Sequence, residues 1–339
     1  MSNAEHGPWL IWGKRLLTLF FLVLVPVLLY LLVRNLEWSE VRQALDAYSL
    51  QTLLLGAVLV IASYLVFGSY DLLARRYSRH RLPTRQVLPV AMVCYAFNLN
   101  FTTWIGGVAM RYRLYMRLGL TASTVTRILS LNLLTNWTGY MALAGVIFSL
   151  RMVQLPDNWT LGVTGLQLLG FALLGVVSAY VGVCASAQQR VWHWRERSIT
   201  LPSLGMALQQ LCMGASNWAL MALLLYWLLP DGASYTSVLG VLLISCIAAA
   251  VAHIPAGLGV LEAVFLALLQ HQYSQASLVA ALLAYRVLYY LLPLLLASVT
   301  YLVLEKRAKA LRKDGSDANP QPPAKRNLAT SEVELPPSG

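Results

Sequence analysis

The sequence predicts an all-α polytopic membrane protein, and three observations predict it. The chain is 58% hydrophobic and only 12% charged, far from the soluble average. Apolar stretches of membrane-spanning length recur along it. The stretches are continuous rather than alternating, which excludes an outer-membrane type of β-barrel. The formal charge of +11 is not a nucleic-acid signature. The basic residues sit in short loops beside apolar segments, where they set orientation and meet anionic phospholipid headgroups.

Eight hydrophobic regions follow in order, near 16–33, 52–73, 88–110, 124–150, 164–185, 206–229, 236–271 and 278–304. The first follows Lys14 and Arg15. It is too long for a signal peptide and no small-residue cleavage site follows it, so it reads as an uncleaved span. Residues 1–313 are expected to form one transmembrane domain. Residues 314–339, rich in Pro, Ser, Asp and Lys, are expected to be a disordered cytoplasmic tail.

Loop charge orients the spans. The loop 74–87 carries Arg75, Arg76, Arg79, Arg81 and Arg85 and is expected in the cytoplasm. The same holds for 186–205, with Arg190, Arg195 and Arg197, and for the region after the last span, with Lys306, Arg307, Lys309, Arg312 and Lys313. The loop 34–51 is more acidic and is expected outside. If 88–110 crossed completely, Arg111, Arg113 and Arg117 would lie outside, against this rule. The segment is also polar for a lipid-facing span, with Asn98, Asn100, Thr102, Thr103, Gly106 and Gly107. A re-entrant hairpin buried in protein accounts for both facts.

The same parity makes 236–271 enter and leave on the external side. It is either a second hairpin or two short crossings broken at Pro255. Span, span, hairpin, span therefore occurs in 16–150 and again, inverted, in 164–304. The expectation is six full spans and two broken hairpins, with both termini cytoplasmic. In this register Gly106 matches Gly257 and Arg111 matches Glu262. Inverted repeats with broken helices are a transporter architecture with a midplane site. The two hairpin tips are expected to approach each other there.

The stretch from His253 to Glu262 holds a helix breaker, Pro255, two glycines, Gly257 and Gly259, and a carboxylate. A charge at membrane depth costs about 3 kcal/mol unless it is paired or wetted. Glu262 can bind a cationic headgroup, carry a proton, or form a structural ion pair with Arg286. Arg286 lies too deep in the last span to snorkel. Its guanidinium suits a phosphate or that same pair. Arg111 and Arg113 are candidate phosphate contacts at the mouth of the first hairpin, with ordinary cytoplasmic charge as the alternative. His253 can titrate near neutrality or be a satisfied structural histidine. Asp71, beside the loop arginines, reads as a surface ion pair. Asn98, Asn100, Asn132, Asn136 and Asn217 read as interhelical hydrogen-bonding amides, some of which can line a polar cavity.

The four cysteines, Cys94, Cys184, Cys212 and Cys246, lie in apolar context without metal-ligand or CxxC spacing. No HExxH or GxSxG motif is present. Neither enzyme chemistry, a metal nor a cofactor is expected.

Pro255-x-Gly257-x-Gly259-x-x-Glu262, followed by Ala284-Tyr285-Arg286, resembles the membrane region of the lysylphosphatidylglycerol synthase/flippase family. Gly106 to Arg111, then Arg113, resemble its first conserved element. The similarity covers most of 10–310 and is nearest to stand-alone bacterial inner-membrane members. It implies phospholipid handling, with translocation of modified lipid between leaflets as the family's membrane role. Two departures matter. About 35 residues follow the last span, so no soluble aminoacyl-transferase domain, and no synthase activity, is expected. Trp104 stands where the family often has proline.

Three functions compete on these grounds. The first is a lipid transporter, in which Arg111, Arg113 and Arg286 hold phosphate and Glu262 gates the cavity. The second is a non-transporting accessory subunit that recruits a phospholipid-synthesising membrane enzyme through its arginines. The third is a small-solute or ion transporter.

Overall fold

In a computed structural model, the described residues are 38–101, 103–153, 160–187, 191–194, 197–230, 232–252 and 257–303. The expected first span, His253, Pro255, both termini and the tail lie outside them. Residues 301–339 form a separate unit, described only over 301–303.

The helices are α1 (Trp38–Asp46), α2 (Leu50–Ser78), α3 (Thr84–Asn100), α4 (Met110–Arg117), α5 (Ala122–Ser149), α6 (Thr160–Ser186), α7 (Leu204–Leu228), α8 (Tyr235–Ala252), α9 (Val260–Leu269) and α10 (Gln275–Tyr285). Two π-helical stretches, Thr103–Ala109 and Arg286–Leu291, precede α4 and extend α10. Four helices begin at a serine or threonine whose side chain accepts a backbone N–H three residues on: Ser49, Thr121, Ser203 and Ser274. Each satisfies one orphan donor of its first turn.

Among the described residues, five helical stretches are long and apolar enough to cross a membrane: Leu50–Ser78, Gly162–Ser186, Leu204–Leu228, Tyr235–Ala252 and Gln275–Val303. Helix α5 has the length but is less apolar, because Asn132, Thr135 and Thr138 are buried on its inward face. The chain is thus a helical multi-pass membrane protein. One feature was not expected: in the basic loop after α6, β1 (Val191–Trp194) and β2 (Arg197–Thr200) pair antiparallel, with Val191 opposite Thr200.

Two close helix contacts set the frame. A Cβ on Gly139 of α5 would lie 2.2 Å from the Gly214 carbonyl carbon, and one on Gly214 of α7 would lie 2.3 Å from the Thr135 carbonyl oxygen. Small residues let membrane helices approach to backbone contact. Tyr77, near the end of α2, donates to the carbonyl of Thr200 at 2.6 Å. Tyr48, just before α2, donates to the carbonyl of Leu228 at 2.6 Å. The loops 79–83 and 197–203 therefore share one end of the bundle, and 46–49 and 229–230 share the other. This is the grouping that loop charge predicts.

The first hairpin is visible as a close approach. A Cβ on Gly106 would lie 2.2 Å from the carbonyl oxygen of Phe97, nine residues earlier. Nine residues of continuous helix would separate the two by ~13 Å. The chain has turned back on α3, and α4 returns to the end of α2 from which α3 set out. In the second hairpin, a Cβ on Gly257 would lie 3.3 Å from the Cβ of Ala249, and α9 packs against α8. Gly257 and Gly259 have φ of +56° and +80°, the left-handed region that glycine enters without penalty. With ten residues, α9 is ~15 Å long, half the hydrocarbon thickness.

Candidate functional site

Helix α2 presents one buried face, Val60, Ser63, Tyr64, Phe67, Tyr70, Asp71 and Ala74. The 3–4-residue spacing is that of a single helical stripe. Asp71 is not at the surface, as the sequence suggests; its side chain is 0% exposed. Arg111 Nη2 lies 3.2 Å from Asp71 Oδ1, and the Arg111 side chain is 4% exposed. Tyr115 donates to Asp71 Oδ2 at 2.5 Å, and the amide nitrogen of Asn132 donates to Oδ1. The return leg of the first hairpin supplies Arg111 and Tyr115, and this is why Asp71 can be buried: three donors on two elements surround the carboxylate. The acid, 4 to 14 residues from the five arginines of the following loop, looked like their partner. The hairpin brings a nearer one.

Glu262 and Arg286 also find each other. Arg286 Nε donates to Glu262 Oε1 at 2.8 Å and Nη2 to Oε2 at 3.2 Å. This is the parallel fork that guanidinium and carboxylate favour. Nη2 also donates to the carbonyl of Gly257 at 3.1 Å, and the Gly259 N–H donates to Glu262 Oε2 at 2.9 Å. The pair ties the glycine turn and the start of α9 to the last span. Its side chains are 11% and 21% exposed for Arg286 and Glu262.

Between the hairpins lies a half-open cavity of about 360 Å³, its wall mainly apolar but carrying a cluster of amides and one charge. The first hairpin contributes Asn98, Gly107 and Arg111; α5 contributes Ser130, Asn132 and Asn136; α7 contributes Asn217; and α8 contributes Cys246. Arg111 is the only charged side chain on its wall among the described residues. Arg113 is exposed on another side of α4 and does not line it, and neither Glu262 nor Arg286 does. The hairpin charges Arg111 and Glu262 thus do not pair across the interior. Each has its own partner, and the hairpins are joined differently: Asn100 at the first tip donates to the carbonyl of Tyr290 at 3.1 Å, and Arg286 lies 4.6 Å over the Tyr290 ring.

The tyrosines of the last span, Tyr285, Tyr289 and Tyr290, read from the sequence as packing against the second hairpin; Tyr289 instead joins Ser63, Tyr64 and Tyr95 in a wall behind the cavity. Tyr95 and Tyr289 hydroxyls meet at 2.8 Å, Ser63 reaches Tyr289 at 2.7 Å and Asn217 at 2.8 Å, and the Asn217 amide donates to Tyr95 at 3.3 Å. Tyr64 donates to the carbonyl of Tyr289 at 3.1 Å, an oxygen that Pro293, lacking an N–H, cannot satisfy. On the other side of Tyr64 runs an apolar groove of about 460 Å³ between α2, α3 and the last span, lined by Val60, Ile61, Leu288, Leu292 and Leu296. Tyr64 and Tyr95, ring centres 4.9 Å apart, separate groove from cavity. The buried stripe on α2 was the available signal, since Ser63, Tyr64 and Asp71 share its period.

The sequence profile of the lysylphosphatidylglycerol synthase TM region matches residues 17–297. The chain belongs to this family. Inner membrane protein YbhN of Escherichia coli K12 is 48% identical over 311 residues, covering 91% of the chain and 98% of that protein. An uncharacterized Synechocystis protein, slr0712, is 30% identical over 290 residues, covering 83% and 89%. Family membership places the paired charges and the cavity in a membrane region associated by name with a phospholipid synthase. The match includes both hairpins, from the turn at Gly106 to the Glu262–Arg286 pair.

Proposed function

We propose that this family member is a flippase-like phospholipid transporter of the bacterial inner membrane. One observation carries the proposal: a half-open cavity of headgroup size, mainly apolar but carrying four asparagines and a buried arginine on its wall, is set among membrane-length helices. Polar surface at this depth is costly unless it faces water or a ligand. The headgroup enters the cavity and its phosphate meets Arg111. The acyl chains stay in lipid along the groove beside Tyr64. The Glu262–Arg286 fork holds the second hairpin in shape rather than touching substrate, and the loop arginines engage anionic phospholipids at the surface. One repeat rocking against the other would alternate access to the cavity.

The test is reconstitution into vesicles carrying a trace of headgroup-labelled phospholipid. Wild-type protein moves the label between leaflets. Ser130→Trp, which fills the cavity from an exposed position on its wall, stops the movement. No movement with wild type, or equal movement with Ser130→Trp, refutes the proposal.

A further inference from the structure

Three polar atoms of residues around the cavity are buried without a protein partner: Arg111 Nε, Asn132 Oδ1 and Asn98 Oδ1. All three residues line it. The orientation of the Asn132 amide is fixed, because its nitrogen faces the Asp71 carboxylate and an oxygen there would meet only acceptors. Its oxygen is therefore an acceptor in need of a donor. Arg111 Nε is a donor in need of an acceptor. Such orphans are rare in folded proteins and each calls for an explanation.

Charge adds an independent constraint. The cation of Arg111 is already balanced by Asp71 at 3.2 Å. A phosphodiester entering alone would bring an unmatched negative charge into the membrane interior and leave both asparagine oxygens without donors. A headgroup that joins a phosphate to an ammonium matches every requirement. Its phosphoryl oxygen accepts from Arg111 Nε, its ammonium donates to the asparagine oxygens, and its net charge is zero.

We infer that the cavity selects a zwitterionic phospholipid headgroup of the phosphoethanolamine kind over anionic headgroups, through Arg111, Asn132 and Asn98. This rests on the proposal that the cavity holds a phospholipid headgroup. The anionic lipids expected from loop charge belong to the surface arginines, not to the cavity.

The experiment exchanges purified full-length protein against an equimolar mixture of phosphatidylethanolamine, phosphatidylglycerol and phosphatidic acid with identical acyl chains, and counts retained lipids by native mass spectrometry. Phosphatidylethanolamine is retained about tenfold over the other two, the equivalent of one buried polar group left unsatisfied. Asn132→Leu and Asn98→Leu each reduce that preference to near parity; the second leaves the Asp71 cluster whole. Water-soluble glycerophosphoethanolamine at the same concentration does not displace the lipid. Retention that ignores Ser130→Trp defeats the headgroup cavity itself. Retention that Ser130→Trp abolishes, but with anionic lipid preferred or no preference, defeats only the selectivity. Displacement by the soluble compound defeats the lipid as the source of the headgroup.

Discussion

In the first hairpin the base, Arg111, rides on the return leg and the acid, Asp71, waits on a neighbouring span. In the second the acid, Glu262, rides on the return leg and the base, Arg286, waits on the span. Their surroundings also differ. The first pair is almost wholly buried and shares its carboxylate with Tyr115 and Asn132. The second is partly exposed and spends its hydrogen bonds on the Gly257 and Gly259 backbone. One pair charges a cavity wall; the other fastens a turn. The same chemistry serves two ends because, among the described residues, the first hairpin places its charge beside amide oxygens that lack a protein partner.

The largest expected effect tests burial. Asp71→Ala leaves Arg111 buried and unpaired, and is expected to destabilise the protein by about 3–5 kcal/mol, seen as a large drop in detergent Tm. Glu262→Ala removes an acid whose partner keeps the Gly257 carbonyl and the Tyr290 ring, and is expected to cost about 1–3 kcal/mol. If Glu262→Ala proves the more damaging, the contrast between the pairs collapses.

The turns give the next comparison. Gly106→Ala drives a Cβ into the Phe97 carbonyl and is expected to cost about 1–3 kcal/mol through overpacking, with loss of cavity-dependent lipid movement. Among the described residues, Gly257→Ala meets the Cβ of Ala249 at 3.3 Å, a tight contact but not an overlap with backbone. Its penalty is the left-handed backbone, about 1–2 kcal/mol, and lipid movement is expected to persist more fully. Thermal melts of the two variants with transport assays in parallel separate a steric contact from a conformational one.

The smallest effect sharpens the comparison at the loop beside the first pair. His80, after the end of α2, lies 6.4 Å from the Tyr115 ring. Partial burial, then Arg75, lower its pKa below the ordinary value of 6.5. The unfolded chain therefore binds the proton more readily than the folded one. Stability is expected to decline slightly as pH falls below about 6.5, the ordinary imidazole value, toward the lower folded-state value. His80→Gln should flatten that pH dependence in melts, while Glu262→Ala should not.

Much of the hairpin geometry was legible because it follows from rules that act locally. Arginines beside a span must stay on one side, so 88–110 had to return, and Phe97 against Gly106 is that return. Glu262 and Arg286 were legible as possible partners because both are deep and opposite in charge. Asp71 was misplaced for the same kind of reason: its sequence neighbours are arginines, and proximity along the chain favoured them. What it meets is set by α4, 40 residues away. The ribbon at 191–200 was missed because a basic loop between spans carries no apolar face that requires pairing.

The sequence by itself determined that the chain lives in a membrane, where its polar segments fall, and which loops share a side. Hydrocarbon length and loop charge act on composition alone. Only the tertiary structure decided which acid meets which base, that Arg113 faces away from the cavity while Arg111 enters it, and that a tyrosine wall divides an amide-bearing cavity from an apolar groove. Those outcomes depend on which helix faces meet, and helix packing is decided by close contacts such as Gly139 with Gly214 that no single segment encodes.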